Sequence, residues 1–203
     1  MRRLTYCCMC RANGHEPIIS DRITRVFVKK RDQIKDDVIM QKVNIKKCNL
    51  DYDYNRLSTR SKTDMIVIHH TGNPQDDDLS TREINASHQA QGWTCIGYHY
   101  VVRKDGTVEE GRPHWTTGAH AYGENSHTIG IHVCGNFEIG EPTDEQIESL
   151  AMLLANLCSD YGLPIDRDHV VVHRELMPTA CPGRNLYEII DTVVGKAIFY
   201  YDN

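Results

Sequence analysis

The sequence lacks any long apolar run. Residues 1–8 carry positive charge, but the apolar stretch of roughly 7–15 residues that a secretory signal peptide requires does not follow them. No segment has the roughly 20 apolar residues of a membrane-spanning helix. We therefore expect a protein that is made in the cytoplasm, has no membrane partner, and reaches any extracellular target after release by lysis or by another export route.

A surplus of positive charge is also missing. The 203 residues include 23 Lys and Arg against 28 Asp and Glu, a formal net charge of −5, whereas nucleic-acid binding normally needs a basic face. No internal repeat is present, and the shares of apolar residues (40%) and charged residues (25%) are ordinary globular values. We expect a monomer without a nucleic-acid partner, built as one compact domain with an appendage.

Eight cysteines would suggest disulfides in a secreted protein, but the missing export signal favours free thiols or metal ligands. Three of them lie among apolar residues and are predicted to be small buried side chains: Cys95, Cys134 and Cys158. Cys7 and Cys10, with His15 and Cys48 as candidate companions, have the spacing of half a zinc knuckle. The sequence leaves open whether Cys7 and Cys10 bind a second zinc ion or stay free.

A polar stretch rich in hydroxyl side chains, residues 58–63, predicts a connecting segment. Before it, apolar residues recur without a clean period, so we assign residues 1–62 to an N-terminal extension. A wall-targeting element, a partner-docking segment and an extra layer of the domain remain open for it. Strand and helix patterns alternate through residues 63–203, which predicts an α/β domain with a central mixed β-sheet flanked by helices.

Local patterns predict the elements of this domain. Short β-branched runs predict buried strands, at residues 65–68, 129–133 and 170–172. Asp105-Gly106 predicts the turn of a hairpin, because that turn needs residues that tolerate positive φ. Amphipathic periodicity predicts helices, at residues 80–91, 144–161 and about 186–198. Thr143 and Gln146 have the pattern of a capping box at the start of the second helix.

Candidate zinc ligands follow two of the predicted strands. His69 lies at the end of one, and His173 follows another, with Cys181 eight positions further on. Neutral imidazole and thiolate are good zinc ligands, and three protein ligands with a fourth position left to water form the catalytic arrangement. Such an ion lowers the pKa of its water towards neutrality. Because the chain has eleven histidines, the spacing alone leaves other trios open.

From residue 65 to about residue 190 the sequence resembles the zinc-dependent N-acetylmuramoyl-L-alanine amidases, a family that includes T7-type lysozymes and animal peptidoglycan recognition proteins. The motifs that carry the resemblance occur in the family's order: IHHT at 68–71, QGWTCIGYHY at 91–100, DGTVEEGRP at 105–113, GAH at 118–120, TIGI at 128–131, GNF at 135–137 and HRELMPTACP at 173–182. An ordered series of this kind is far more specific than any one motif. The resemblance implies the amidase and peptidoglycan recognition protein fold for residues 63–203.

The resemblance also implies a set of catalytic groups. It implies one catalytic zinc ion with His69, His173 and Cys181 as ligands, and a Tyr98 that helps to activate the zinc-bound water or to steady the tetrahedral intermediate. Thr179 stands where T7-type members carry a catalytic lysine and many recognition-protein amidases carry threonine. Its hydroxyl can donate a hydrogen bond to the developing oxyanion, although it supplies no positive charge.

Four further positions are implied to line the substrate groove, where aromatic and polar side chains suit sugar rings and amide-rich peptides: Arg112, Trp115, His120 and Asn136. The implied reaction is hydrolysis of the amide between N-acetylmuramic acid and L-alanine in bacterial peptidoglycan, as in a phage endolysin, with peptidoglycan or muropeptides as partners. A non-catalytic peptidoglycan receptor is the alternative. Such receptors generally lack the cysteine ligand, so Cys181 and Tyr98 favour the enzyme. T7-type members also inhibit a phage RNA polymerase, which nothing in this sequence tests.

Overall fold

A mixed β-sheet of six strands organises the part of the chain that the computed structural model describes, residues 41–203. Its strands are β1 (Ile45–Lys46), β2 (Met65–His70), β3 (Tyr100–Val102), β4 (Val108–Glu110), β5 (Thr128–Val133) and β6 (Val170–Val172). Their order across the sheet is β1-β4-β3-β5-β2-β6. The β3–β4 hairpin is antiparallel and every other neighbouring pair is parallel. The predicted mixed sheet and its hairpin are confirmed.

Five helices accompany the sheet within these residues: α1 (Thr81–Ala90), α2 (Asp144–Tyr161), α3 (His173–Leu176), α4 (Arg184–Glu188) and α5 (Ile190–Asp202). The predicted capping box is confirmed, since the Thr143 side chain accepts from the Gln146 N–H and the Gln146 side chain accepts from the Thr143 N–H. Gly162, with φ 64°, ends α2 in the left-handed conformation that glycine tolerates.

The single helix predicted over residues 186–198 is wrong in detail. It is interrupted at Ile189, whose φ of −103° and ψ of 2° lie outside helical geometry, so α4 ends and α5 begins there. Leu186 and Ile190 are both buried. Because residues four positions apart lie on the same face of a continuous helix, the apolar pattern is the same with and without the interruption, and periodicity along one axis does not reveal it.

The two faces of the sheet differ in chemistry. One face packs against α2 and α5 and forms the main core, in which Ile66, Ile68 and Leu154 are fully buried. Each such side chain contributes about 1.5–3 kcal/mol through burial. Because side chains alternate along a strand, Val67 and His69 of β2 face the opposite side. The face covered by α2 and α5 thus holds the main core. The other face carries a smaller apolar cluster, in which Ile84 of α1 packs with Val101, together with polar side chains such as His69.

The thiols that were predicted to be buried behave as small core residues. Cys95, Cys134 and Cys158 have no solvent exposure, and burial raises the pKa of all three, so they are protonated thiols. This prediction is confirmed. Cys7 and Cys10 lie outside the described residues.

Residues 41–62 belong to the same compact unit as the sheet, although the predicted domain boundary follows residue 62. β1 pairs in parallel with β4, and Lys46 Nζ lies 2.9 Å from Glu109 Oε1. Arg60, in the stretch interpreted as a connector, is buried and donates to the Thr116 carbonyl at 2.7 Å. Its charge is solvated by protein carbonyls instead of water, which composition alone does not reveal. No helix among the described residues is long and apolar enough to cross a bilayer.

Candidate metal centre

Three side chains converge beside the carboxyl ends of two neighbouring strands. β2 and β6 are adjacent and parallel, so His69 near the end of β2 and His173 directly after β6 reach the same edge of the sheet. The loop after α3 returns Cys181 to this edge, where the backbone N–H of Arg174 donates to the Cys181 carbonyl at 2.9 Å. One ligand atom from each of His69, His173 and Cys181 lies within 4.8 Å of the others. The structure therefore brings together the three residues that the sequence predicted.

His70, the neighbour of His69, bonds the loop that follows β5 and is not part of the trio. Strand alternation turns its ring the other way, and its Nδ1 accepts the backbone N–H of Phe137 at 3.2 Å. Its own backbone N–H lies 3.4 Å from Cys181 Sγ and points to the sulfur. His70 thus contributes a backbone donor to the Cys181 sulfur while its ring stabilises a neighbouring loop.

The donor set fits a tetrahedral zinc ion. His69 Nδ1 and Cys181 Sγ lie 3.7 Å apart, and zinc bonds of ~2.3 Å to sulfur and ~2.05 Å to nitrogen at a tetrahedral angle require about 3.6 Å. His173 Nε2 is buried and has no hydrogen-bond partner among the residues that the structure describes. Leaving a buried polar atom unsatisfied costs about 1–3 kcal/mol. A metal ion bound by this nitrogen would remove that cost.

A chain of hydrogen bonds determines which nitrogen of His69 carries the proton. The Thr128 hydroxyl donates its one proton to the Glu124 carbonyl at 2.8 Å, so at 3.3 Å it accepts from Nε2–H of His120. Nδ1 of His120 is then unprotonated and accepts from Nε2–H of His69 at 3.0 Å. Nδ1 of His69 is left with a free lone pair on the side of Cys181, as a metal ligand requires.

Burial keeps the imidazoles of this centre neutral. It lowers the pKa of His69 and of His120 well below the usual histidine range, and neighbouring histidines lower both further. Burial likewise raises the pKa of the Cys181 thiol to about 12 despite the nearby Arg174. Without a bound cation Cys181 is a thiol. Metal binding must therefore release its proton.

Tyr98 lies beside the trio, with its ring centroid 5.1 Å from that of His69. Burial, followed by the proximity of Cys181, raises the pKa of its hydroxyl above the usual tyrosine value. The hydroxyl is thus protonated at neutral pH and acts as a hydrogen-bond donor. Thr179 accepts the backbone N–H of Cys181 at 3.2 Å, which leaves its hydroxyl proton available to a ligand.

A depression of about 400 Å³ adjoins the trio. It is lined by His173 of the trio and by seven further residues: Trp93, Ala119, His120, Ala121, Tyr122, Asn125 and Met177. Trp93 and Tyr122 are 40% and 92% exposed. Sequence reasoning missed both as groove residues, although Trp93 lies within one of the quoted motifs, because exposure cannot be read from a motif.

Of the four residues predicted to bind substrate, His120 alone lines this depression. Arg112 is buried and donates to the carbonyls of Ile96 at 2.9 Å and Thr117 at 2.8 Å. The Asn136 amide donates to the Asn73 carbonyl at 2.9 Å.

Trp115 lines a different depression. The structure therefore gives Arg112 and Asn136 bonds to backbone carbonyls and separates Trp115 from the metal centre.

Comparisons with known proteins place this geometry in a family. Residues 59–184 match the family described as N-acetylmuramoyl-L-alanine amidase. The endolysin of Escherichia phage T7 is 35% identical over 132 residues, which cover 63% of this chain and 85% of that protein. The endolysin amidase LysCS from Clostridium intestinale is 33% identical, with a TM-score of 0.69 over 77% of this chain and 99% of that structure. Drosophila PGRP-LB, at 23% identity and a TM-score of 0.64 over 73% of this chain and 93% of that structure, shares the fold.

Proposed function

The chain belongs to the N-acetylmuramoyl-L-alanine amidase family and is an enzyme of that class, and we propose that one zinc ion held by His69, His173 and Cys181 carries its activity. The bond cleaved is the amide between N-acetylmuramic acid and L-alanine of bacterial peptidoglycan. The observation that carries the proposal is the Nε2 atom of His173, which is buried and has no hydrogen-bond partner among the described residues. One ligand atom from each of His69, His173 and Cys181 lies within 4.8 Å of the others. The enzyme acts as a monomer on the cell wall, after release from the cytoplasm by lysis or another export route.

Residues around the trio prepare His69 and Cys181 for metal binding. A bound zinc ion would supply a Lewis acid for the amide carbonyl and lower the pKa of a water molecule. His120 and Thr128 hold His69 in the tautomer that exposes Nδ1. The backbone N–H of His70 points to the Cys181 sulfur and so stabilises negative charge on it. These contacts exist before a substrate arrives, so no reorganisation is needed during the reaction.

Two hydroxyl groups are the donors that we assign to the oxyanion that would form when the carbonyl is attacked. The Tyr98 hydroxyl is a donor because burial keeps it protonated. The Thr179 hydroxyl is a second donor, since its oxygen already accepts from the Cys181 backbone. Neither group carries positive charge. Tyr98 therefore contributes as a hydrogen-bond donor in a water-poor site, where such a bond is stronger than in water.

The depression beside the trio is the proposed substrate groove. Trp93 and Tyr122 offer exposed aromatic rings at its rim, and Asn125 supplies polar contact. Aromatic faces suit sugar rings, and polar groups suit the amides of the stem peptide. The catalytic unit comprises residues 63–203. Residues 41–62 add the edge strand β1 to the sheet and contribute Arg60, which bonds the Thr116 carbonyl.

A product analysis tests the proposal. The full chain is incubated with a defined muropeptide, with and without a chelator, and the products are identified by mass spectrometry. Release of an intact stem peptide with a free L-alanine amine, abolished by the chelator and by Cys181→Ala, is the expected result. Cleavage inside the stem would instead identify an endopeptidase. Binding of an unchanged muropeptide by the zinc-loaded chain would identify a receptor.

A further inference from the structure

A second depression, of about 290 Å³, lies at the β1 side of the sheet. One wall is the segment after β1, and the other is the segment after β4. Its lining is Lys47, Cys48, Asn49, Leu50, Tyr52, Tyr54, Glu110, Gly111, Pro113 and Trp115. Its volume is at the lower end of the ~300–1,000 Å³ range of small-molecule sites, which suits one ring of a ligand.

This depression is separate from the metal centre. It shares no lining residue with the groove beside His173. In the sheet order, β3 and β5 lie between β4 and β2, so the axes of β4 and β2 are about 14 Å apart at the usual strand spacing of ~4.8 Å. A ligand in the second depression therefore does not contact the catalytic groups.

Aromatic rings dominate its opening. The rings of Tyr52 and Tyr54 lie 4.5 Å apart between centroids, with an interplanar angle of 39°. Tyr54 is 57% exposed and Trp115 is 47% exposed. Large aromatic side chains that keep this much surface in water offer apolar faces bordered by polar groups. Such faces match the C–H face of a sugar ring.

The polar lining indicates a neutral ligand. Lys47 and Glu110 are the charged members of the lining among the described residues, and their charges cancel. Asn49 adds an amide with donors and acceptors. A polyanion would need an excess of positive charge. An uncharged, hydroxyl-rich and amide-bearing ring satisfies these groups without leaving a charge unpaired.

The walls are held in place before binding. The Asp53 carboxylate accepts the Asn55 N–H at 3.0 Å in a single 3-10 turn, Tyr54–Arg56. Gln89 of α1 donates to the Asp51 carbonyl at 2.9 Å. The Trp115 carbonyl accepts the Arg60 N–H at 2.9 Å. A preformed wall loses little conformational entropy when a ligand binds.

We propose that this depression binds one N-acetylated sugar ring of the glycan strand, as a second site remote from the scissile amide. The inference rests on the proposed function, because the substrate polymer supplies the sugar. Two contacts on one polymer make the second binding event intramolecular and raise its effective concentration. The site would thus strengthen binding to long glycan strands.

The chain's two tryptophans make the proposal testable, since Trp93 lies in the groove beside the metal centre and Trp115 in the second depression. In Trp93→Phe the fluorescence reports Trp115. Titration with the N-acetylglucosamine tetrasaccharide should change this emission saturably, and adding Tyr54→Ala should weaken the binding by about tenfold. Circular dichroism checks that each variant is folded.

Several outcomes would overturn the proposal. They are an unchanged Trp115 emission at saturating tetrasaccharide, an identical titration in the Tyr54→Ala variant, and a response to a sugar-free stem peptide in place of the tetrasaccharide. Trp115→Phe, which leaves Trp93, shows whether the sugar enters the catalytic groove instead. Muropeptide cleavage by the wild type is measured separately. If the muropeptide is cleaved but the Trp115 emission does not change with tetrasaccharide, the second site alone is refuted. If the Trp115 emission changes but the muropeptide is not cleaved, the amidase proposal alone is refuted.

Discussion

His120 Nδ1 lies 3.0 Å from His69 Nε2, and this contact determines the chemistry of a residue that is placed to bind zinc. Both rings are buried. Since His120 is held by Thr128, the protons along the chain have one arrangement, in which Nδ1 of His69 is free. The tautomer of His69, the proposed metal ligand, thus depends on the Thr128 hydroxyl, which contacts His120 and not the trio.

Thr128→Val is therefore expected to weaken zinc binding. Valine keeps the β-branched shape of this fully buried position but removes the acceptor for His120. Loss of such an outer contact typically lowers metal affinity by about 10–100-fold. The affinity is measured by competition with a chromophoric chelator. Thr128→Ser retains the hydroxyl and is the matched control, and equal affinities of Thr128→Val and the wild type would show that the hydrogen-bond chain has no role.

Zinc is expected to stabilise the fold through the same ligands. A ligand that binds the native state alone stabilises it by about 2.7 kcal/mol at a concentration 100 times its Kd. Adding zinc to the metal-free chain should raise its Tm, and His173→Ala and Cys181→Ala should remove most of that rise. Scanning calorimetry measures it. A zinc-dependent rise that survives in both variants would place the metal elsewhere.

Tyr98→Phe should lower kcat without loss of metal. Removing one donor to an oxyanion costs about 10²–10³-fold in kcat, while the zinc ligands remain. Zinc content by atomic emission and kcat on a muropeptide are measured together. Tyr100→Phe, a buried tyrosine in the core on the opposite face, is the control and should keep wild-type kcat. An unchanged kcat in Tyr98→Phe would remove Tyr98 from the mechanism.

Glu109 is expected to make stability depend on pH. Burial raises the pKa of this carboxyl, but the Thr81 N–H and Lys46 outweigh burial and hold the pKa below the usual 4.5. A depressed folded-state pKa contributes stability above pH 4.5 that is lost as the pH falls through the folded value. Glu109→Gln should therefore lower the free energy of unfolding by about 1–2 kcal/mol at pH 7, and by less below pH 4.

Urea unfolding at the two pH values measures this difference. Glu110→Gln, at the neighbouring and partly exposed position, is the matched control and should change the unfolding free energy little. A pH-independent difference between Glu109→Gln and the wild type would mean that the carboxylate charge does not stabilise this contact.

The positions of His69, His173 and Cys181 in the sequence leave other trios open, and the ordered motifs of the family resemblance select this one. His69 lies near the end of β2 and His173 directly follows β6, and these parallel neighbours bring the two histidines together. The helix α2 is equally predictable, since its cap and its stop are encoded within one stretch of chain. The cap and the stop of α2 depend on contacts that are short in sequence, whereas the contact between His69 and Cys181 joins distant segments.

Contacts between distant segments are harder to read. Arg112 looks like a groove residue, yet its guanidinium bonds backbone carbonyls, which every residue possesses and no motif records. Arg60 lies in a stretch that was predicted to be a connecting segment, but its guanidinium also bonds a backbone carbonyl. Trp115 was expected in the groove and lies outside it, while Trp93, for which no role was predicted, lines the groove, because the packing of loops decides which side chains are exposed there. The interruption at Ile189 likewise leaves the apolar periodicity of the segment unchanged.

The most direct test of the central claim is a zinc titration of activity. Metal-free chain receives increasing zinc, and the stem peptide released from a defined muropeptide is quantified by mass spectrometry. We expect product formation to rise with zinc, to level off at one equivalent per chain, and to stay at background in Cys181→Ala. Full activity in the metal-free chain, or activity restored by zinc in Cys181→Ala, would contradict it.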